Sequence, residues 1–371
     1  MKTERQAEAQ RLRQEGRSWA DIGDIMGIRV SGVKSLLERA SKWDDAPSAL
    51  TNGAQVIGAD TPASIVWTKT HKDGTTTHSV MHSNKPAPPD PVEYAEAIRE
   101  AIATVPPPLP VVKPNAPKDI LATFTVADLH MGLLTDQEEV GEDWDTKKAQ
   151  RVFKETFGRL VTITPDAGTA LLAQLGDLTH TDDQRNVTPQ SGHQLDVDSR
   201  FFIILRRAVA VMKWAIEALR QKYGKVIYCG RRGNHDLTAH HAVTLALSEY
   251  YADCKDVTII QDASDFYVHE FGANMILLHH GDRAKPDRLV HFAAAEFPEI
   301  WGRTKYRLAL SGHVHHESAK EIGGMRFESV GTIIPRDFHA YTHAYSGARS
   351  LTSIVHHIED GEISRARVGV R

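Results

Sequence analysis

The stretch KVIYCGRRGNHDLTAHH, residues 225–241, decides the fold. Val226 to Cys229 is a short apolar run of the kind that becomes a buried strand. It gives way at once to Gly233-Asn234-His235-Asp236, a polar cluster framed by glycine. A helical pattern, Ala242 to Tyr251, follows. Strand, polar turn and helix in succession point to an α/β domain, where functional groups sit on loops at the carboxyl ends of strands. The same sequence of events recurs on both sides. Apolar runs at Leu121–Val126, Ala170–Leu175, Met275–His279 and Leu308–Leu310 lead into Asp128-Leu129-His130, Gly176-Asp177, His280-Gly281-Asp282 and Gly312-His313-Val314-His315. Helices are expected over Lys147–Leu160, Val197–Lys222 and Asp287–Phe297. In the second of these Phe201, Phe202, Ile204, Leu205, Val209, Met212, Trp214, Ile216 and Leu219 recur at helical spacing and read as core.

The five clusters hold the residue types that a dinuclear metal centre needs. A carboxylate can bridge two divalent ions, while neutral imidazoles and an amide oxygen complete each shell. This mixed nitrogen and oxygen set suits manganese, iron or zinc better than calcium. Asp-x-His and His-x-His spacing turns both side chains to one side of a loop leaving a strand. Glycine beside them lets the backbone turn sharply.

All five clusters, in this order, resemble the motifs of the calcineurin-like metallophosphoesterases, over roughly Asp119 to the C-terminus. The resemblance implies an α/β four-layer sandwich, two mixed β-sheets flanked by helices. It implies that Asp128, His130 and His315 hold one metal, that Asn234, His280 and His313 hold a second, and that Asp177 bridges them. It selects His280 from the His279-His280 doublet and leaves His279 to the core or to support of the ligands. His235 would be no ligand but the acid that protonates the leaving oxygen, with Asp236 orienting it or raising its pKa. Manganese is the expected metal, with iron, zinc, nickel or magnesium as alternatives, and the cations would activate water for in-line attack at phosphorus.

Other polar residues near these clusters carry two readings each. The segment after Asp177 is unusually polar for a loop leaving a buried strand, so His180, Asp183 and Asn186 either orient ligands and touch substrate or cap helices in a solvated loop. Arg231 and Arg232 either neutralise phosphate through paired hydrogen bonds or anchor their loop to a carboxylate. Lys285 carries the same pair of readings.

Upstream, composition changes. Residues 1–45 read as a small all-α module and 46–118 as a linker region. The linker contains a hairpin of Ile65–Thr70 and Thr75–Met81 around Asp73-Gly74, a helix near Pro91–Thr104 and a proline-rich spacer at 106–117. The phosphoesterase-like domain takes up 119–371. Ser18 to Ala40 resembles the helix-turn-helix of sigma-factor region four, with Ser18 and Asp21 as a capping box and Gly27 as the turn. That resemblance implies DNA contact by Arg29, Ser31, Lys34 and Arg39. Nine Lys/Arg against six Asp/Glu in residues 1–42 agree with local rather than bulk attraction to DNA, since the whole chain of 371 residues has a net charge of −4. The competing reading is a helical bundle for oligomerisation or protein docking. One module alone would bind modestly, so a homo-oligomer or a second contact is expected to help.

Two cysteines, Cys229 and Cys254, are too few for a secreted disulfide framework. No apolar stretch reaches the length of a membrane span and no targeting segment is evident, so a cytoplasmic protein of a bacterium or a phage-infected host is expected. A helix-turn-helix joined by a proline spacer to a phosphoesterase resembles bacteriophage and prophage layouts. The leading functional reading is a DNA nuclease. The alternatives are a phosphatase or phosphodiesterase for phosphoproteins, nucleotides or small molecules, and a DNA-binding regulator with an inert scaffold, against which every ligand position is filled.

Overall fold

A computed structural model describes residues 4–30, 32–34, 65–71, 76–81, 117–344 and 347–371. The chain divides into two compact units, Met1–Lys85 and Pro86–Arg371.

The first unit contains helices α1 (Glu4–Gln14) and α2 (Trp19–Met26), helical residues again at Val30 and 32–34, and an antiparallel hairpin of β1 (Ile65–Thr70) and β2 (Thr76–Met81). The capping box expected at Ser18 is present: the Asp21 amide donates to Ser18 Oγ at 3.2 Å, and the Ser18 amide donates to Asp21 Oδ2 at 3.1 Å. Gly27 ends α2 in the left-handed conformation, at φ 65°. Leu12, Ile22 and Val33 form a small core against which Trp19, Met26 and Ile28 pack. Arg29 and Lys34 are exposed, while Ser31, Arg39, the Asp73-Gly74 turn, the expected 91–104 helix and nearly all of the proline spacer lie outside the described residues.

Among its described residues the second unit has eleven strands. One sheet holds β3 (Ile120–Val126), β4 (Thr169–Leu175), β5 (Lys225–Arg231) and β6 (Val257–Ile259), all parallel. Two antiparallel strands, β12 (Ser350–His357) and β13 (Gly361–Gly369), extend it on the β3 side. The other sheet runs β10 (Ser318–Ile322), β11 (Met325–Ser329), β9 (Tyr306–Ser311), β8 (Asn274–Leu278), β7 (Tyr267–Phe271), with β8, β9 and β11 parallel. Helices α4 (Thr146–Ile163), α5 (Phe201–Arg220) and α6 (Ala239–Tyr250) share a core with the first sheet, and α7 (Pro286–Glu296) with the second. Short helices α3 (Gln137–Val140), α8 (Pro298–Arg303) and α9 (Phe338–Thr342) complete the unit.

Strand periodicity explains the layering. Along β4, Ala170 and Leu172 pack in the helix-side core while Leu171, Ala173 and Leu175 pack between the sheets. Along β8, Ile276 and Leu278 meet the first sheet while Met275 and Leu277 meet α7. Helix, sheet, sheet and helix thus stack as the expected four-layer sandwich. Strands buried on both faces must be apolar throughout, which is why β3, β4 and β8 read as continuous runs. Among the described residues no helix is long and apolar enough to cross a membrane.

Two histidines are embedded in this core as neutral rings. Burial pushes His240 down to about 3 and His356 down to about 4. An unfolded histidine titrates near ~6.5, so below that pH the unfolded chain takes up protons the folded one refuses. The stability these rings contribute is present above pH ~6.5 and is lost as pH falls toward their folded values, on the order of a few kcal/mol each by pH ~4. Urea midpoints should fall steeply between pH ~6.5 and ~4. A flat profile over that window would contradict neutral burial.

Candidate metal centre

Each of the five polar clusters follows its strand within two or three residues. Asp128 comes after β3, Asp177 after β4, Asn234 after β5, His280 after β8 and His313 after β9. Because these strands are parallel within each sheet, their carboxyl ends face one edge and deliver all five loops to one place.

The loops are bent hard to do so. Asp128, His130, Asp177, His313 and His315 all have φ between 40° and 71°, a region that non-glycine residues avoid. Among the described residues only Asn186 and Ala344 join them. Such strain persists where the surroundings over-determine the backbone, and it concentrates at functional sites. Here the determinants are visible: the His313 amide donates to both oxygens of Asp128, at 3.0 and 2.9 Å, and the His130 amide donates to the Asp177 carbonyl at 2.9 Å. The Asp128 carbonyl accepts from Thr332 Oγ1 at 2.7 Å, a contact that nothing in the sequence signals.

Two groups of donors that include a carboxylate result, Asp128 with His130 and His315, and Asp177 with His280 and His313, beside an all-histidine group of His130, His180 and His235. Within each group the ligating atoms lie within 4.8 Å of one another. Asp177 Oδ2 stands between the groups, 3.3 Å from His280 Nε2 and 3.7 Å from His130 Nε2. Asn234 Oδ1 is 3.0 Å from His280 Nε2, and His130 Nε2 is 3.3 Å from His315 Nε2. The seven residues that the resemblance nominated as ligands therefore converge.

The electrostatics favour positive charge at this point. Burial opposes ionisation of Asp177, yet His280 beside it holds the carboxyl well below the usual range. Burial lowers His280 too, but the Asp177 carboxylate outweighs it and lifts the ring to about 10. His280 Nδ1 donates to the Leu175 carbonyl at 2.8 Å, which leaves Nε2 toward Asn234 and Asp177. His130 is driven far below its ordinary value by burial and then by His235, so it stays neutral, the form in which imidazole ligates. Two carboxylates, imidazoles and an amide oxygen around a spot that draws positive charge onto His280 fit divalent metal ions, which would displace that proton on binding.

Around the centre sit the residues with two readings. His235 donates Nδ1–H to the His180 carbonyl at 2.8 Å and its ring stacks on His180 at 5.3 Å, which leaves Nε2 as the nitrogen that can take or give a proton. His180 Nδ1 lies 3.1 Å from His130 Nδ1, so one proton is shared between them and His130 is oriented from behind. The expectation that Asp236 orients His235 is corrected. Its carboxylate instead accepts the amides of Gly233, Leu178 and Asp177, at 2.6, 2.7 and 3.3 Å, and ties the β4 and β5 loops together.

The two arginines anchor their loop. Arg231 is 1% exposed and binds Asp262 at 2.6 Å and the Ser264 carbonyl, and Arg232 makes a paired bridge to Asp265. With their charge matched by aspartate, neither is free for phosphate. Asp183 is likewise engaged by Arg185, and the Asn186 carbonyl accepts from Leu195 and Gln194. Its neighbour Asp182 caps α6, accepting the Thr238 and Ala239 amides at 2.7 Å each. Lys285 is exposed at the N-terminus of α7. His279 is 7% exposed against Phe266, and burial lowers it to about 4.

Close approach makes Gly233 irreplaceable. A Cβ there would lie 1.9 Å from Asp177 Oδ1 and 2.4 Å from the Asp177 backbone nitrogen. Gly233→Ala should cost at least about 2 kcal/mol, within the usual range for overpacking, and should lower metal affinity. Urea denaturation and elemental analysis of the dialysed variant check this; an unchanged midpoint and metal content would contradict it.

No protein-family profile and no curated protein matches the sequence. Among solved structures, the chain is similar to Yfce, a phosphoesterase from E. coli, at 15% identity and TM-score 0.32, covering 67% of this chain and 100% of that one. It is also similar to an archaeal phosphodiesterase, at 10% identity and TM-score 0.30 over 67% and 99%. A third is wild-type Vps29 from Entamoeba histolytica complexed with zinc, at 14% identity and TM-score 0.27 over 67% and 99%. Superpositions this loose decide nothing about what this chain does.

Proposed function

We propose that this chain is a calcineurin-like metallophosphoesterase, a dinuclear-metal phosphodiesterase that acts on nucleic acid. The observation that carries the catalytic class is the position of Asp177 Oδ2 between two separate carboxylate–histidine groups. Asp128, His130 and His315 would hold one cation in this reading, Asn234, His280 and His313 the other, and Asp177 would serve both. Manganese suits the donor set, as do iron, zinc and nickel, with magnesium a weaker match to the imidazoles. When bound, such ions supply Lewis acidity that activates water and offsets charge on the phosphate oxygens.

The chain's own residues do the rest. His235, with Nδ1 committed to His180, keeps Nε2 to protonate the leaving oxygen. Asp236 keeps the Gly233 and Leu178 amides in place and so fixes the loops that present Asn234 and Asp177.

The nucleic-acid part of the reading rests on the helix-turn-helix resemblance and on the exposed Arg29 and Lys34, with Ser31 and Arg39 as further candidates. It places the protein in the cytoplasm, where DNA is at hand. A phosphatase for phosphoproteins, nucleotides or other small esters is the rival, because the same ligands serve all of these. The full chain with Mn²⁺ or EDTA, incubated with single-stranded DNA, duplex DNA, RNA and a chromogenic phosphomonoester, separates them. Polymer cleavage abolished by EDTA supports the nuclease, and turnover of the small ester alone defeats it. For the N-terminal unit, fluorescence anisotropy with duplex DNA should show weaker binding and a smaller salt slope once residues 1–45 are removed. An unchanged slope ends the delivery reading.

A further inference from the structure

We propose that the segment Arg336–Thr342 is a nucleobase platform beside the metal centre, on which Phe338 and Tyr341 stack bases of a single-stranded substrate. The proposal rests on the phosphodiesterase reading above and names what part of the substrate is gripped.

Exposed large apolar side chains are unevenly spread over the second unit. Among its described residues they are Leu134, Ile163, Leu245, Val314, Phe338, Tyr341 and Ile363. Four of the seven lie on segments that carry or border the ligands. Leu134 follows His130 by four residues, and Val314 separates His313 from His315. Phe338 and Tyr341, 56% and 46% exposed, lie on α9, and further along the chain Gly347 approaches the His313–His316 turn, where a Cβ on it would lie 2.8 Å from the His315 carbonyl. Apolar side chains left exposed on or next to ligand-bearing segments are where a substrate would meet them.

The loop is also built to hold its rings still. Phe338 and Tyr341 are three residues apart on α9, and so share a side of it. The turn is tied by Asp337, whose Oδ1 accepts the Ala340 amide at 2.7 Å and whose carbonyl accepts the Tyr341 amide at 2.9 Å. At its far end Arg349 donates to the Ile333 carbonyl at 2.7 Å and to Glu142 at 2.6 Å. The Arg336 guanidinium lies 5.1 Å from the centre of the Tyr341 ring, a preformed cation–π stack. A flat aromatic face with a cation beside it matches a polymer that alternates planar bases with anionic phosphates. A lipid phosphodiester would use the apolar surface and the cation but has no planar base to stack on the aromatic face.

The test compares cleavage of oligothymidylate with cleavage of an abasic oligomer of equal length and charge, using the full chain with Mn²⁺. Phe338→Ala and Tyr341→Ala should each raise KM for oligothymidylate by about 5- to 100-fold, the usual worth of one stacked base, and leave the abasic oligomer unchanged. Phe338→Trp should retain the wild-type KM. Independently of turnover, an oligomer containing 5-iododeoxyuridine irradiated in EDTA should crosslink within residues 336–342. Equal losses on both oligomers, or unaltered KM with no adduct, would overturn the platform while leaving nuclease activity standing. Wild-type protein that hydrolyses a small ester but neither oligomer would remove the nuclease reading and the platform together.

Discussion

Asp177→Asn is expected to lower turnover by about 10³-fold and to strip the protein of most bound divalent cation. The substitution keeps the shape of the side chain, removes its charge and replaces one ligating oxygen by an NH2 group that cannot bind a cation. Oδ2 of Asp177 lies near a histidine of each group, at 3.3 Å from His280 and 3.7 Å from His130, so the loss should be felt at both metal positions. Several kcal/mol of charge stabilisation rest on such an ion, and each ~1.4 kcal/mol is a factor of ten in rate. The fold should survive, because Asp128 still binds the His313 amide and Asp236 still binds the Gly233 amide. The variant also leaves His280 without the carboxylate that holds its pKa up at about 10, so that ring should titrate lower. Elemental analysis after dialysis, steady-state kinetics and histidine NMR read the three effects separately. Wild-type metal content with wild-type turnover would refute the bridging role.

His235→Ala should lower kcat by roughly 10²–10⁴-fold while metal content stays that of the wild type. The asymmetry follows from the ring's position. Its Nδ1 is occupied by the His180 carbonyl and it packs edge-on against His130 at 4.7 Å, near the ligands without sharing their groups of carboxylates. A proton donor matters most when the departing oxygen is a poor leaving group. The loss should therefore be large for an alkyl or nucleoside ester and small for a nitrophenyl ester, whose leaving group needs no proton. Equal losses on both esters, or a drop in bound metal, would show that His235 serves structure rather than proton transfer.

Much of the second unit was legible because both faces of its central strands are covered. β3, β4, β5, β8 and β9 carry apolar runs that local pattern reveals, and the polar clusters after them stand out by contrast. Strands outside the central parallel sets were not legible. β10 reads SAKEI and is mostly exposed, and β12 ends in two histidines, so neither shows the signature of a buried run. The pairing of β12 depends on β3, far upstream in the chain, whereas β10 pairs with its immediate neighbour β11.

The site divides along the same line. Residue type and spacing marked the five clusters, and their resemblance to the phosphoesterase motifs nominated the seven ligand candidates within them. Roles that depend on direction were decided in three dimensions. Nothing local could tell that Arg231 turns to Asp262 and Arg232 to Asp265 instead of to substrate, or that Asp236 holds three amides while His180 orients the neighbouring ring. Chemical identity is written residue by residue, and so the sequence alone determined which atoms are available for coordination. Which of them face one another is set by packing between segments 50 to 200 residues apart, and only the folded chain contains that information.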